Sequence, residues 1–327
     1  MKSIYNYAIV GAGQLGSRHL QSMKAVKLKS CIWVIDSNPE SLRIAEERYG
    51  QIADNDLILN VTFTQSLEDL PDKIDFMIVA TSAFKRAKLI KKICTITTIK
   101  NMLIEKVLFQ HPTDYEEIKQ LLFKQNIKAW VNCPRRMYPF YQICKQKLDT
   151  QKPIHITIDG SNWGMACNAI HFIDIVAFMI QSTSYTIKTD LLDSEIFDSK
   201  RIGYKEISGT LQLNFSNGST LTLSCRKDIS LPISIFICSN KTRILIDESK
   251  KMAIYSDFEN NWTWETSNFE LPFQSQLTST VIESVMLDGT CPLTTFDESV
   301  SLHLPFIISL LNFFKRDSSD IEVLPIT

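Results

Sequence analysis

The chain has 327 residues, 44% hydrophobic and 22% charged, with 35 basic against 36 acidic side chains. That length accommodates two domains with separate cores, and the composition is that of a soluble globular protein. A net charge of -1 without a basic run gives a nucleic-acid partner no electrostatic support.

The opening MKSIYNYAIVGAG runs straight into a strand-like segment and lacks the apolar core and cleavage site of a signal peptide. The apolar stretch 165–180 is interrupted by Asn168, His171 and Asp174, and Leu304 to Phe314 is too short to span a bilayer. A cytoplasmic protein without a membrane partner is therefore expected. The eight cysteines contain no C-x-x-C pair and no zinc-finger spacing, so free thiols and no metal are expected.

Through residue 130, strands are predicted at Tyr5–Val10, Cys31–Ile35, Ile74–Ala80, Met102–Glu105 and Ile127–Val131, with a shorter one near Val61–Phe63. Between them lie predicted helices from Gln14 to about Leu28, Pro39 to Tyr49, Phe84 to Cys94 and Pro112 to Lys124. Pro39 and Pro112 each stand where a first helical residue belongs. The alternation implies right-handed crossovers and a doubly wound parallel sheet.

Beyond about residue 150 the pattern becomes α+β. A strand at 153–161 and an apolar helix from Gly164 to Ile180 precede strands at Ser208–Phe215, Ser219–Cys225, Ile233–Cys238, Arg243–Asp247 and Lys251–Tyr255. Asn217-Gly218 between the first two of these signals a hairpin and hence a mainly antiparallel sheet. Two helices near 275–287 and 297–315 close the chain. The expected division is 1–130 and 131–327, with the last helices able to pack back on the first domain.

The strongest chemical signal is Gly11-Ala12-Gly13-Gln14-Leu15-Gly16, which follows the first strand and opens the first helix. Gly11 suits the tight turn, Gly13 lets backbone approach a pyrophosphate, and Gly16 allows helix to pack on strand. The N–H groups at Gln14, Leu15 and Gly16 and the positive helix end favour phosphate. At a usual frequency of about 7% the chain would carry roughly 23 glycines, yet it has 10 and three fall within this motif. Asp36, at the end of the second strand, is placed to accept from ribose hydroxyls. Its charge disfavours a 2′-phosphate, so NAD is expected over NADP. Asp36 also reads as a turn former before Ser37-Asn38-Pro39, and Arg43 lies one turn into the next helix.

With its second half included, the chain resembles the Gfo/Idh/MocA family of oxidoreductases. The resemblance rests on GAGQLGSRHL, on Val79-Ala80-Thr81-Ser82, on Leu103-Ile104-Glu105-Lys106, on Arg135-Arg136-Met137-Tyr138-Pro139 and on Asn168-Ala169-Ile170-His171-Phe172-Ile173-Asp174. It implies that Thr81, Ser82, Glu105 and Lys106 serve the cofactor. It further implies that Lys106 contacts the substrate oxygen and that His171 is the general base. Asn168 joins them as a catalytic candidate, and Arg136, Asn168 and Asp174 as substrate-binding candidates. Independently, a lysine at the C-terminal end of a parallel strand stands where open α/β sheets bind ligands, and histidine suits proton transfer near neutrality. Positions 167, 168, 171 and 174 share one helix face. Bland readings stand beside these: Lys106 as a solvated strand end, His171 as a core residue, Asp174 bonded to backbone, and Arg135 and Arg136 in ion pairs.

Three departures from the family pattern matter. Val107 replaces a proline, and a cis bond before a non-proline residue costs about 2.5–4 kcal/mol, so a trans or strained bond is expected there. Cys167 replaces the usual aspartate four residues before His171. Ser82-Ala83 and Arg86 occupy the family's proline-asparagine and histidine positions. The expected activity is NAD(H)-dependent hydride transfer at a hydroxyl or keto carbon of a polyol or sugar substrate, such as a cyclitol or nucleotide-sugar. A non-catalytic NAD-dependent regulatory protein on the same scaffold is the alternative. Alternating Leu211, Leu213 and Phe215 leave a sheet face to be covered by a homo-oligomer, dimer or tetramer, or by the C-terminal helices.

Overall fold

The computed structural model describes residues 4–227, 229–316 and 321–327, so the first three residues of the opening stretch lie outside the description. Two compact units are present. Met1–Phe109, Thr113–Pro134 and Pro272–Asp297 form the first, and Gln110–Pro112, Arg135–Leu271 and Glu298–Thr327 the second.

The first unit contains β1 (Tyr5–Val10), α1 (Gln14–Met23), β2 (Ser30–Ile35), α2 (Pro39–Gly50), β3 (Ile58–Thr64), β4 (Lys73–Ile74), β5 (Phe76–Val79), α3 (Arg86–Ile96), β6 (Thr98–Ile99), β7 (Asn101–Glu105), α4 (Pro112–Lys124) and β8 (Lys128–Asn132). Its main sheet runs β8-β7-β5-β1-β2-β3, all parallel, with the short strand Thr294–Thr295 added antiparallel to β8. Tyr7 to Ile9 and Phe76 to Val79 are wholly buried, as an apolar run covered on both faces requires. Asn38 caps α2 by accepting from the Glu40 N–H at 3.0 Å, with Pro39 as first helical residue. Helix α1 stops at Met23, short of the expected Leu28. The reason is tertiary: Asn55 Nδ2 donates to the carbonyls of Lys24 (2.7 Å) and Val26 (2.9 Å), which takes them out of a helical ladder. The strand expected over Ile74–Ala80 is interrupted at Asp75, whose carboxylate accepts from the Asn6 N–H at 3.0 Å.

The second unit contains α5 (Pro139–Gln146), β9 (His155–Ser161), α6 (Met165–Ile180), β10 (Tyr185–Asp198), β11 (Lys205–Phe215), β12 (Thr220–Arg226), β13 (Ser234–Cys238), β14 (Thr242–Asp247), β15 (Met252–Asp257) and β16 (Glu265–Asn268). Helix α7 (Gln274–Asp288) belongs to the first unit, and all but the first two residues of α8 (Phe296–Phe314) to the second. Eight strands form one sheet in the order β10-β11-β12-β9-β13-β14-β15-β16, antiparallel except for the β12–β9 pair. The expected hairpin is present: Gly218 takes φ +84° and its N–H donates to the Phe215 carbonyl at 3.0 Å.

One cross-strand row, Leu211, Leu223, Ile158, Ile235, Ile246 and Ala253, is buried throughout. Helix α6 packs against β11 and β12 on this unit's sheet. Leu211, Leu213 and Phe215 are thus already buried inside the unit and offer no face to a second copy. None of the eight cysteines forms a disulfide. Among the described residues, no helix is long and apolar enough to cross a membrane, and no cluster of His, Cys, Asp and Glu could hold a metal ion.

An ion triad, buried at Arg136 and Asp174 and half-buried at Glu298, ties this unit together. Arg136 donates from Nε to Asp174 Oδ2 at 2.8 Å and from Nη2 to Glu298 Oε1 at 2.9 Å, with Arg136 4% and Asp174 1% exposed. Removing one partner of such a pair leaves a charge in low dielectric, at a typical cost of about 3–5 kcal/mol. Asp174→Ala is therefore expected to lower stability by about 3 kcal/mol in urea denaturation. A loss below about 1 kcal/mol, the value of an exposed pair, would rule out this packing role.

Candidate functional site

The phosphate-type loop is built by close backbone approach. At Gly11 the backbone takes φ +98°, and a Cβ would stand 2.7 Å from the Thr81 nitrogen. At Gly16 a Cβ would stand 1.8 Å from the Gly11 carbonyl oxygen. These two glycines are required by the fold itself. Gly13 is different. It has φ -63° and ψ -161°, and a Cβ there would meet nothing within 4 Å. No internal contact calls for a glycine at 13, so the backbone here is open to a group approaching from outside.

Gly13 is also the N-cap of α1, with no side-chain bond to the first turn and no acidic residue within it. The N–H groups of Gln14, Leu15 and Gly16 therefore start the helix without a capping side chain. The Gln14 side chain is held aside by Arg48, whose Nη2 donates to Gln14 Oε1 at 2.8 Å, and Leu15 is 37% exposed.

The parallel register Val10–Ile35 sets Asp36 beside this loop. Its Oδ2 accepts from the Ala12 N–H at 2.7 Å, and its Oδ1 from the Asn38 N–H at 2.9 Å. Asp36 is thus a turn former and a brace for the glycine loop at once. A carboxylate has about four acceptor positions, and these bonds use two. A cleft of about 560 Å³ opens here, lined among others by Gly11, Asp36, Ser37, Thr64 and Thr81. The Thr81 hydroxyl is buried without a hydrogen-bond partner. Arg43 is committed elsewhere, to Glu40 at 2.7 and 2.8 Å and to Glu47.

An uncapped helix start, an open glycine at its N-cap, an orphaned hydroxyl and a half-used carboxylate fit a dinucleotide phosphate and ribose.

At the end of β7, Glu105 turns inward and Lys106 follows half-buried. Glu105 is 3% exposed. It lies 2.9 Å from His19 Nε2 and accepts from Asn132 Nδ2 at 2.5 Å. His19 Nδ1 in turn lies 2.8 Å from Thr278 Oγ1, and Asn132 also donates to Gln274 Oε1 at 2.9 Å. The strand end before Lys106 is thereby fastened to α1 and α7. The Lys106–Val107 peptide bond is cis, not trans. Carbonyls on both sides of it are gathered by Arg86, which is 1% exposed and donates to Glu105, Val107 and Leu108 and also to Thr81. Ser82 follows Thr81 half-buried.

In the second unit, α6 is buried along its length except at Asn168, His171 and Phe178, which share one face. The four predicted positions on this helix therefore separate. Asn168 and His171 are half-buried, whereas Cys167 and Asp174 are buried. Asn168 Nδ2 donates to the Trp163 carbonyl at 2.9 Å, and Asp174 is joined to Arg136 as above. Arg135 is likewise engaged, donating to both oxygens of Glu248 at 2.9 and 2.7 Å.

Glu206 on β11 was not signalled by any sequence pattern. Its Oε2 accepts from the Ala166 N–H at 2.8 Å, and it is 5% exposed at the start of α6, beside Cys167. A carboxylate thus stands next to the residue that replaces the family's aspartate. Burial raises its pKa above the ordinary value. His19 was visible within GAGQLGSRHL but carried no readable role, because Glu105 is 86 residues away. Arg86 was visible only as a departure at a histidine position.

Comparison with known proteins places this geometry. Residues 5–133 match the model of an oxidoreductase family with an NAD-binding Rossmann fold, Gfo/Idh/MocA. No curated protein matches in sequence. Among solved structures, the chain is similar to a super-repressor mutant of Gal80p from Saccharomyces cerevisiae, with TM-score 0.71, 13% identity and 96% of each chain covered. It is similar to an oxidoreductase from Agrobacterium radiobacter in complex with NAD+, L-tartaric acid and magnesium, with TM-score 0.68, 14% identity, and 92% of this chain and 94% of that one covered. A UDP-N-acetylglucosamine 3-dehydrogenase from Acidithiobacillus ferrooxidans gives TM-score 0.68 at 12% identity, over 94% of this chain and 96% of that one. At such identities these likenesses speak for the fold. Residues 5–133, which carry the glycine loop, Asp36 and Lys106, thus match the NAD-binding Rossmann fold of the Gfo/Idh/MocA oxidoreductase family.

Proposed function

We propose that this protein is an NAD(H)-dependent oxidoreductase acting at a hydroxyl or keto carbon of a sugar, cyclitol or nucleotide-sugar. The observation that carries the cofactor half is Gly13, a glycine whose absent side chain no internal contact explains. Asp36 and the commitment of Arg43 to Glu40 and Glu47 favour NAD over NADP, because a 2′-phosphate would meet a carboxylate and no available guanidinium.

The bound dinucleotide would supply the hydride acceptor or donor. The chain's own residues bind and move protons. The N–H groups of Gln14, Leu15 and Gly16 hold phosphate, Asp36 accepts from ribose hydroxyls, and Thr81 and Ser82 line the cofactor's path. Glu105 serves by fixing the strand end from inside, and Lys106 stabilises negative charge on a substrate oxygen. His171 takes or gives the hydroxyl proton, and Asn168 orients a hydroxyl beside it. Arg136 and Asp174 shape the substrate side through their buried pair.

The departures at Cys167 and Val107 favour a second reading, a non-catalytic NAD-dependent regulatory protein, and the likeness to Gal80p supports the same scaffold for it. A homo-oligomer, dimer or tetramer, remains part of both readings. Its support is the outward face of the second-unit sheet, where register partners Phe236 and Leu245 are 37% and 40% exposed. Light scattering is expected to give two or four chain masses, and a single chain mass removes this part.

In calorimetric titration, Gly13→Val is expected to weaken NAD+ binding by about tenfold or more (about 1.4 kcal/mol), while the fold keeps its cooperative unfolding and loses only the roughly 1 kcal/mol that an apolar residue costs at an N-cap. Unaltered NAD+ binding by this variant would refute the phosphate-loop assignment. Against a panel of sugars and cyclitols, Lys106→Ala and His171→Ala are each expected to lower turnover by about two to four orders of magnitude, with NADH affinity within about threefold in His171→Ala. Full activity in both variants would reject the roles. NADH binding without turnover on any substrate would move the reading to the regulatory alternative.

A further inference from the structure

We propose that Arg86 is the positioning residue for the nicotinamide end of the cofactor site, fastening the segment that carries Thr81 to the segment that carries Lys106. This inference rests on the NAD reading above.

Arg86 opens α3 and is among the most deeply buried large side chains of the protein. Its Nη1 lies 2.6 Å from the Glu105 carbonyl and 2.9 Å from that of Leu108 and also meets that of Val107, its two hydrogens being shared among the three. Its Nη2 donates to the carbonyl of Thr81. One rigid planar cation therefore joins the ends of β5 and β7, the two parallel strands that flank the proposed reaction centre. Buried carbonyls need donors, and these four find them on a single side chain. The histidine that Arg86 replaces in the family pattern offers at most two N–H groups. At 1% exposure Arg86 does not reach a ligand itself. It acts through the backbone that presents Thr81, with its orphaned hydroxyl, and Lys106.

The geometry also makes the effect separable. Gly13, the start of α1 and Asp36 take none of their bonds from Arg86. Losing the guanidinium should thus loosen the Lys106 side most, because the glycine loop and Asp36 keep their own bonds and meet Arg86 only through the Thr81 backbone that packs on Gly11. A residue that merely supported the scaffold would weaken both ends together.

The test compares NADH with ADP-ribose, which keeps both phosphates and both riboses but lacks nicotinamide. Affinities are measured by calorimetry for the wild-type chain, Arg86→His and Arg86→Lys. ADP-ribose affinity is expected to stay within about twofold in all three. NADH affinity is expected to fall at least tenfold in Arg86→His and to recover in part in Arg86→Lys, which keeps a cation with three donors. Should Arg86→His fail to fold, Arg86→Lys alone is expected to lower the NADH preference by severalfold. Unchanged NADH affinity in the variants overturns the proposal, as does an equal fall for both ligands. A wild-type chain that binds neither ligand overturns the NAD reading and this inference with it. Normal wild-type binding with unresponsive variants overturns the inference alone.

Discussion

Helix α1 approaches strand β1 so closely that a single methyl group on Gly16 would collide with the carbonyl oxygen of Gly11. This contact sets the direction of the helix, and with it the direction of its first N–H groups. Gly11 in turn is pressed against Thr81 at the end of β5, so three segments meet with no side chain between them. Asp36 completes the arrangement by accepting from the Ala12 N–H, which fixes the loop against β2. The anion-binding character of the loop follows from this packing, because the helix start is left uncapped while everything behind it is rigid.

Behind that surface, the first unit uses polar side chains where an ordinary core would use apolar ones. His19 on the glycine-loop helix, Glu105 at the strand end and Asn132 at the end of β8 are all buried and bonded to one another in a chain. Each satisfies a group that would be costly to leave unpaired. The result is a mechanical link between the phosphate end of the unit and the peptide that precedes Lys106. Arg86 fastens the same strand end through carbonyls rather than carboxylates.

The second unit follows the same principle on α6. A helix buried along most of its surface leaves Asn168 and His171 accessible, while its buried Asp174 is neutralised by Arg136 and its first turn is met by Glu206. The expected four-residue face thus divides by burial. Spacing alone cannot show this division, because residues three and four apart share a face whether that face meets solvent or core.

Strands β1, β2, β7 and β8 and helices α2 and α4 were legible because each joins an apolar run or an amphipathic repeat to a turn or cap signal. Strands β10 and β16 were not. Most of β10 is exposed or half-buried, with register shifts after Lys188 and Leu192, and every residue of β16 is exposed, so neither displays a buried period of two. By itself the amino-acid order determined what local chemistry can encode: a glycine loop between strand and helix, a carboxylate at the second strand end, and a lysine and a histidine at motif positions. Only the tertiary structure decided where α1 stops, that Arg86 gathers four carbonyls, that Glu206 stands beside Cys167 and that Asp174 is consumed by Arg136. Those outcomes depend on partners between 5 and 40 residues away, and no local periodicity records which distant group will satisfy a buried one.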